Sequence, residues 1–363
     1  MTPELIKLIQ FPYISNDQEK VIVTKEHACG FIETGVVVCV NSEQKVSLFP
    51  IINGILVLLP PERIHVHEEC TLIKTLFAWL VEKYPEYEQA CREYSKKMQI
   101  GRMDEKTQEF AFYEKMYHTF YQQGSHLQIR YGDHWYTAVR DVLNHMRSCV
   151  KPEARILEIA GGHFAAFPSV FSPEKDRYIF VGTEISYWGL MCGKKTIPGG
   201  QFIQVDSDDL SFMSETFDLI FIKGALHHQS QQENALPRLL SYLKRNGLLG
   251  FTEVVRDGRK PNRLALRMKT WLEPDKKTSP MNESIDKHRA LAYLRTDSDI
   301  ISLKERMSVI RYALARLLAK QKVKSLFWTK VIVWIDDLVN NLPLLRSYWL
   351  TSTHIMSVVV RRK

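Results

Sequence analysis

Five short apolar runs follow one another through the middle of the chain, each separated from the next by a length that suits one helix. They begin about every 17 to 29 residues, roughly the period of a strand–helix unit in a doubly wound parallel sheet. The runs are continuous rather than alternating, which is typical of strands covered by helices on both faces. The pattern predicts an α/β fold. The runs are residues 156–160, 178–182, 202–205, 219–223 and 248–255.

The chain before this sheet has two different patterns. Residues 1–61 are rich in β-branched residues and interrupted by Gly and Pro, which predicts a small β module. Residues 62–150 carry apolar positions at helical spacing and predict a helical section. The sheet domain is predicted over residues 151–363, with a basic helical insertion at about 256–350.

Composition excludes a disordered chain, since 45% of the residues are hydrophobic and 25% charged. Charge is uneven: residues 1–255 hold 26 Lys and Arg against 31 Asp and Glu, and residues 256–363 hold 23 against 10. The net charge therefore changes from −5 to +13. This asymmetry favours an anionic partner for the last third, although solvated basic helix faces account for it equally well.

Three familiar signals are missing from the sequence. The first residues lack the basic start and long apolar core of a signal peptide. The apolar runs are too short for an integral membrane span. The six cysteines never occur as CxxC, which argues against a disulfide framework or an intact zinc knuckle. We expect a cytoplasmic protein.

An acid and a small-residue turn close the first run. Glu158 is followed by Ala160, Gly161 and Gly162, and such a turn brings backbone N–H groups close to a ligand. Glu184 lies at the end of the second predicted strand, two residues past the second run and 22 residues beyond Gly162. At this spacing an acid can accept both ribose hydroxyls of a nucleoside, and the alternative is a surface or capping carboxylate.

With these features in place, residues 153–255 resemble a class I S-adenosylmethionine-dependent methyltransferase of the group that acts largely on small molecules. The resemblance implies a Rossmann-like, mostly parallel sheet of seven strands with an antiparallel last strand. It also implies S-adenosyl-L-methionine as cofactor, with no metal. The matching segments are ILEIAGG (156–162), VGTEIS (181–186), QVDSDDLSF (204–212), FDLIFIKGALHH (217–228), YLKRNGLLGFTEV (242–254) and, for the last strand, THIMSVVVRRK (353–363).

The resemblance assigns cofactor contacts to the strand ends. The loop after the first strand would hold the methionine moiety, and the end of the second strand would bind the ribose. The end of the third strand would face the adenine, and the end of the fourth strand would line the methyl-donor pocket. The family pattern has glycines where this chain has Ala160 and Phe164. The implied cofactor-binding residues are Glu158, Ala160, Gly161, Gly162, Glu184, Ile185, Asp206, Ser207 and Lys223.

Methyl transfer from a sulfonium requires alignment of the nucleophile and, for a hydroxyl or amine acceptor, a base. His227 and His228, at the end of the fourth strand, are the candidates. The alternative is that one histidine caps the next helix and the other packs.

Substrate candidates come from two segments. Residues 62–150 would form a lid in the resembled enzymes, and the basic segment after the fifth strand would face substrate. A tyrosine at helical spacing is otherwise a core residue. The candidates are Tyr117, His134, Trp135, Arg259 and Arg263.

The first 61 residues show a second resemblance, to the small zinc-ribbon module that activates tRNA- and protein-modifying methyltransferases. That ribbon needs two CxxC pairs for a tetrahedral site, and this chain has single cysteines, Cys29 and Cys39, at those places. We therefore expect a degenerate ribbon without zinc, which supports the fold or docks a partner.

These observations leave three functions open. The first is a methyltransferase that acts on an O or N atom of a small biosynthetic intermediate, with an anionic group on the substrate as one option. The second is an RNA methyltransferase, and the third is a non-catalytic scaffold that binds S-adenosylmethionine. Peripheral membrane contact is a further option for the basic segment, and the oligomeric state is not determined by the sequence.

Overall fold

The computed structural model of the chain separates into two compact units. Unit 1 comprises Met1–His126, Leu157–Phe164 and Ile179–Thr216, and unit 2 comprises Leu127–Ile156, Ala165–Tyr178 and Phe217–Lys363. The structure describes residues 1–11, 18–27, 30–100, 105–123, 136–171, 178–229, 232–256, 284–306, 334–335, 338, 341–342 and 353–363.

The sheet of unit 1 has the strand order β1-β2-β3-β4-β7-β6-β5. Its first strands form antiparallel pairs, and β4 then pairs in parallel with β7, with Ile55 opposite Phe202. The N-terminal strands thus extend the sheet of this unit. The strands are β1 (Gln18–Glu26), β2 (Ile32–Val40), β3 (Val46–Ile52), β4 (Ile55–Val57), β5 (Arg155–Ile159), β6 (Ile179–Glu184) and β7 (Gln201–Gln204).

A tight turn joins β3 to β4. Asn53 and Gly54 both have positive φ, at 50° and 71°. The Asn-Gly pair is the sequence that this hairpin geometry favours, because both central residues need φ above zero.

The helices of unit 1 lie before β1, between β4 and β5, and after β6. The second and third share an apolar contact in which the rings of Phe77 and Tyr94 meet edge to face, 5.1 Å apart. The helices are α1 (Pro3–Ile6), α2 (His67–Lys83), α3 (Glu88–Ile100), α4 (Glu105–Gln123) and α6 (Tyr187–Thr196).

Unit 2 is built around the long strand β9, which pairs in parallel with β8 and antiparallel with β12. Strand β11 adds to the far side of β12, also antiparallel. Helix α5 packs closely on β9, since a Cβ at Gly250 would lie 2.7 Å from Val142. The elements are α5 (Tyr136–Cys149), β8 (Phe217–Lys223), α7 (Gln232–Tyr242), β9 (Leu243–Arg256), β10 (Ile285–Asp286), α8 (Lys287–Asp297), β11 (Ser298–Arg306) and β12 (Thr353–Arg362).

The predicted α/β class is confirmed: all five apolar runs are strands, and the last strand is antiparallel. The predicted count of seven strands is wrong, because the described residues form twelve. The additional strands include β1–β4, which join the sheet of unit 1 through β7, and β11, which pairs with β12. The predicted domain boundaries stay a prediction. None of the helices among the described residues is long and apolar enough to cross a membrane.

Candidate active site

The turn after β5 keeps a glycine-type backbone even where glycine is absent. Gly162 has φ 61°, while Ala160 has φ 48° and Phe164 has φ 55°. A non-glycine residue in this left-handed region costs about 1–2 kcal/mol. The chain therefore adopts this left-handed turn at some conformational cost.

The ring of Phe164 occupies a buried slot below this turn. Its centroid is 5.2 Å from that of Phe202 and 6.0 Å from that of Phe180. A Cβ at Gly182 would lie 2.6 Å from the Phe164 ring, and one at Gly193 would lie 2.5 Å from it. Two glycines elsewhere in unit 1 thus make room for the phenylalanine, whose burial offsets the strain of its backbone.

Glu184, at the end of β6, is joined directly to the turn. Its Oε2 accepts a hydrogen bond from the backbone N–H of Gly162 at 2.8 Å. Its Oε1 accepts from the N–H groups of Ile185 and Ser186, at 3.0 and 3.3 Å. Since the side chain is only 5% exposed, these bonds fix the carboxylate beside the loop.

Helix α4 lies against the same turn. A side chain at Gly162 would collide with the hydroxyl of Tyr117, and burial raises the pKa of Tyr117 well above 10, with the charge of Glu184 adding to the effect. One turn earlier, Glu114 accepts hydrogen bonds from the N–H groups of Tyr187 and Trp188 at 2.5 and 3.2 Å. Glu114 therefore caps the N-terminus of α6.

Asp206 follows β7 in the predicted adenine loop, with Ser207 half-buried next to it. Its Oδ2 accepts a hydrogen bond from Arg63 at 3.0 Å, and its Oδ1 accepts from the N–H of Asp208 at 3.0 Å. Asp206 is 6% exposed. The hydrogen bond from Arg63, in the segment before α2, therefore holds a buried carboxylate.

In unit 2, His227 forms a buried pair with Glu253 of β9. His227 Nδ1 lies 2.6 Å from Glu253 Oε1, and the two residues are 8% and 0% exposed. The carboxylate also accepts hydrogen bonds from the N–H groups of Leu226 and Val254, at 2.8 and 2.9 Å. When the Glu253 carboxylate accepts this contact, as it accepts the two backbone N–H groups, Nδ1 is the donor nitrogen of the imidazole.

The ring of His228 lies next to that of His227, with centroids 3.9 Å apart. Lys223 is the last residue of β8, and Gly224 after it turns with φ 58°. Both histidines thus follow the carboxyl end of β8, as the sequence predicted.

Several candidates fall outside the described residues. Of the substrate candidates, this applies to His134, Trp135, Arg259 and Arg263, and it applies also to Cys29 of the N-terminal module. Cys39 is buried in β2. Among the described residues no group of three or more metal-ligating side chains occurs, and the absence of zinc stays a prediction.

The sequence did not single out Glu253, Glu114 or Gln229. Glu253 is an acid inside an apolar strand run, which is a usable signal. Gln229 is 3% exposed, and neither atom of its side-chain amide has a hydrogen-bond partner among the described residues. It lies directly after the short helical turn that carries both histidines.

Residues 157–251 match the family model of a methyltransferase domain. This part of the chain is a methyltransferase domain. The matched span holds the β5 turn, Glu184, Asp206 and both histidines. S-adenosyl-L-methionine is the cofactor of such a domain.

The methyltransferase domain has residues that fit this cofactor in unit 1. The Glu184 carboxylate, which suits a ribose diol, lies beside the glycine turn and is hydrogen-bonded to it. The acid at the end of β7 completes a set of strand-end polar groups.

No curated protein matches the sequence. Among solved structures, the chain is similar to a phosphoethanolamine N-methyltransferase of Haemonchus contortus, with 12% identity, a TM-score of 0.44, and 63% of this chain and 52% of that chain covered. It is also similar to a geranyl diphosphate C-methyltransferase of Streptomyces coelicolor, with 9% identity, a TM-score of 0.43, and 62% and 76% covered. Likenesses of this strength do not identify a substrate.

Proposed function

We propose that this protein transfers the methyl group of S-adenosylmethionine to an oxygen or nitrogen atom of a small molecule, with His227 as the base. The buried His227–Glu253 pair carries the proposal. A base is needed for a hydroxyl or amine acceptor, whose proton must leave as the new bond to carbon forms.

The cofactor supplies an already activated methyl group, so the protein's own residues have to bind, orient and deprotonate. Glu253 holds His227 through a 2.6 Å contact and is itself fixed by two backbone N–H groups. With Nδ1 committed to Glu253, Nε2 takes the acceptor's proton. Glu253 is a positioning residue that also stabilises the imidazolium cation formed in this step.

The side chain of Gln229 favours a methyl-acceptor molecule with polar groups near these histidines. A buried side-chain amide without partners among the described residues is unusual in a native protein. It offers two N–H donors and one oxygen acceptor, which suits a substrate that carries both kinds of group. We infer that Gln229 binds the acceptor molecule.

The experiment that tests this function is incubation of the protein with methyl-labelled S-adenosylmethionine and a cell extract. We expect label in the small-molecule fraction. Label in RNA would instead establish the RNA methyltransferase alternative, to which the basic last third of the sequence is suited. Cofactor binding without any turnover would establish the scaffold alternative.

The role of the dyad is tested by Glu253→Gln. We expect kcat to fall by about 10²–10⁴ with no change in the Kd for S-adenosylhomocysteine, because Glu253 acts through the base. Combining Glu253→Gln with His227→Ala should cost no more than His227→Ala alone, since the two residues act as a unit. Asp299→Asn is the matched control, a 72% exposed carboxylate of the same unit. Full activity of a folded Glu253→Gln protein would contradict the assignment.

A further inference from the structure

Helix α2 has a fully buried carboxyl group, that of Glu69, in its first turn. Glu69 is 0% exposed. Burial raises the pKa of Glu69 well above 4.5, and the negative charge of Glu114 raises it further. No cation among the described residues offsets this, so the surroundings favour the neutral carboxyl, which has one O–H donor as well as an acceptor oxygen.

Within the described part of the chain, Glu69 has one hydrogen-bonding neighbour, Gln204 at the end of β7. Gln204 Nε2 lies 3.4 Å from Glu69 Oε2 and 3.2 Å from the carbonyl oxygen of Ile185. Glu69 Oε1 and Gln204 Oε1 have no hydrogen-bond partner among the described residues, and both side chains are 0% exposed. Buried polar atoms almost always have a partner, so two unpartnered oxygens at one place indicate a bound molecule.

One of these oxygens belongs to the end of a parallel strand. Gln204 is the last residue of β7, and Ile185 directly follows Glu184 of β6. Ligands of open α/β sheets bind at the carboxyl ends of parallel strands. Asp206, the acid that the sequence assigns to the adenine, is already engaged by Arg63 at 3.0 Å.

We propose that Glu69 and Gln204 bind the amino edge of the cofactor's adenine, so that α2 contributes to the nucleobase site. This inference rests on the proposed function. Adenine presents an N6 amino donor next to the N1 acceptor, and a neutral carboxyl presents the complementary O–H and C=O. The Glu69 O–H donates to N1, the amino group donates to the other carboxyl oxygen, and its second hydrogen goes to Gln204 Oε1.

The test compares two ligands in calorimetry: S-adenosylhomocysteine and S-inosylhomocysteine. The inosine base has a carbonyl oxygen and an N1–H, so donor and acceptor are reversed. We expect the wild-type protein to prefer the adenine ligand at least about tenfold, since a mismatched buried hydrogen-bonding group is left unpaired. In Glu69→Leu this preference should largely disappear. Glu68→Leu is the matched control, because Glu68 is the exposed neighbour in the same helical turn, and it should keep the preference.

The outcomes separate the two claims. If Glu69→Leu keeps the wild-type ratio of affinities, Glu69 binds an internal water rather than the base, and the inference is overturned while the proposed cofactor stands. If the wild-type protein binds neither ligand, the proposed function fails and the inference fails with it. Should Glu69→Leu not fold, Gln204→Met removes the second oxygen and must lower the same ratio, and an unchanged ratio there also overturns the inference.

Discussion

Glu114 makes stability depend on pH in a direction opposite to that of most carboxylates. It caps α6 through the N–H groups of Tyr187 and Trp188, which favours the charged form. Burial outweighs these bonds and, with a smaller contribution from the charge of Glu184, raises the pKa of Glu114 from 4.5 to about 7. Between these two values the folded protein binds more protons than the unfolded chain.

The sign and size of the effect follow from this difference. A carboxyl whose pKa is raised by folding destabilises the fold as the pH rises from about 4.5 to about 7. At about 1.4 kcal/mol for each pKa unit, this amounts to about 3 kcal/mol. Glu114→Gln keeps an oxygen acceptor for the helix cap but cannot ionise. The free energy of unfolding of Glu114→Gln, relative to wild type, should therefore increase by about 3 kcal/mol across this pH interval.

Urea unfolding of both proteins at several pH values between 4.5 and 8 measures this difference. Any constant cost of losing one cap contact appears equally at every pH and does not affect the comparison. Glu86→Gln, at an exposed carboxylate of the same unit, is the control for the substitution itself. A stability difference between Glu114→Gln and wild type that is flat with pH would refute the reasoning.

Two further predictions test the packing of the turn and the acceptor site. Gly182→Ala should destabilise the protein by about 1–3 kcal/mol, because the added Cβ would lie 2.6 Å from the ring of Phe164. In a Phe164→Leu background, equilibrium unfolding should show a smaller loss of stability for Gly182→Ala. An equal loss in both backgrounds would contradict the contact. Gln229→Leu should raise the KM for the acceptor at least about tenfold while Tm stays the same or rises, since it removes buried polar atoms that lack partners. Steady-state kinetics and thermal unfolding measure the two effects, and an unchanged KM would remove Gln229 from the site.

Most of the fold could be predicted from local patterns in the sequence. The five continuous apolar runs predicted the five strands because burial on both faces of a parallel sheet requires apolar side chains at every position. The extra strands changed the count because pairing of β4 with β7 joins segments far apart in the chain. Nothing in either segment alone indicates that partner.

The candidate site divides in the same way. Glu184 could be predicted because its role depends on a fixed spacing from the turn, whereas Glu114 acts on a helix that begins 73 residues later. The space for the Phe164 ring could not be predicted either, because it comes from the absence of side chains at Gly182 and Gly193. Long-range contacts of this kind require the structure.

The central claim, that the β5 turn and Glu184 form the site for S-adenosylmethionine, is tested most directly by calorimetry with S-adenosylhomocysteine. Wild type should bind one molecule per chain. Glu184→Gln, which keeps the shape but loses the charge, should weaken binding by about 1.5–3 kcal/mol, the contribution of hydrogen bonds to a charged group. A folded Glu184→Gln protein that binds with unchanged affinity would contradict the account.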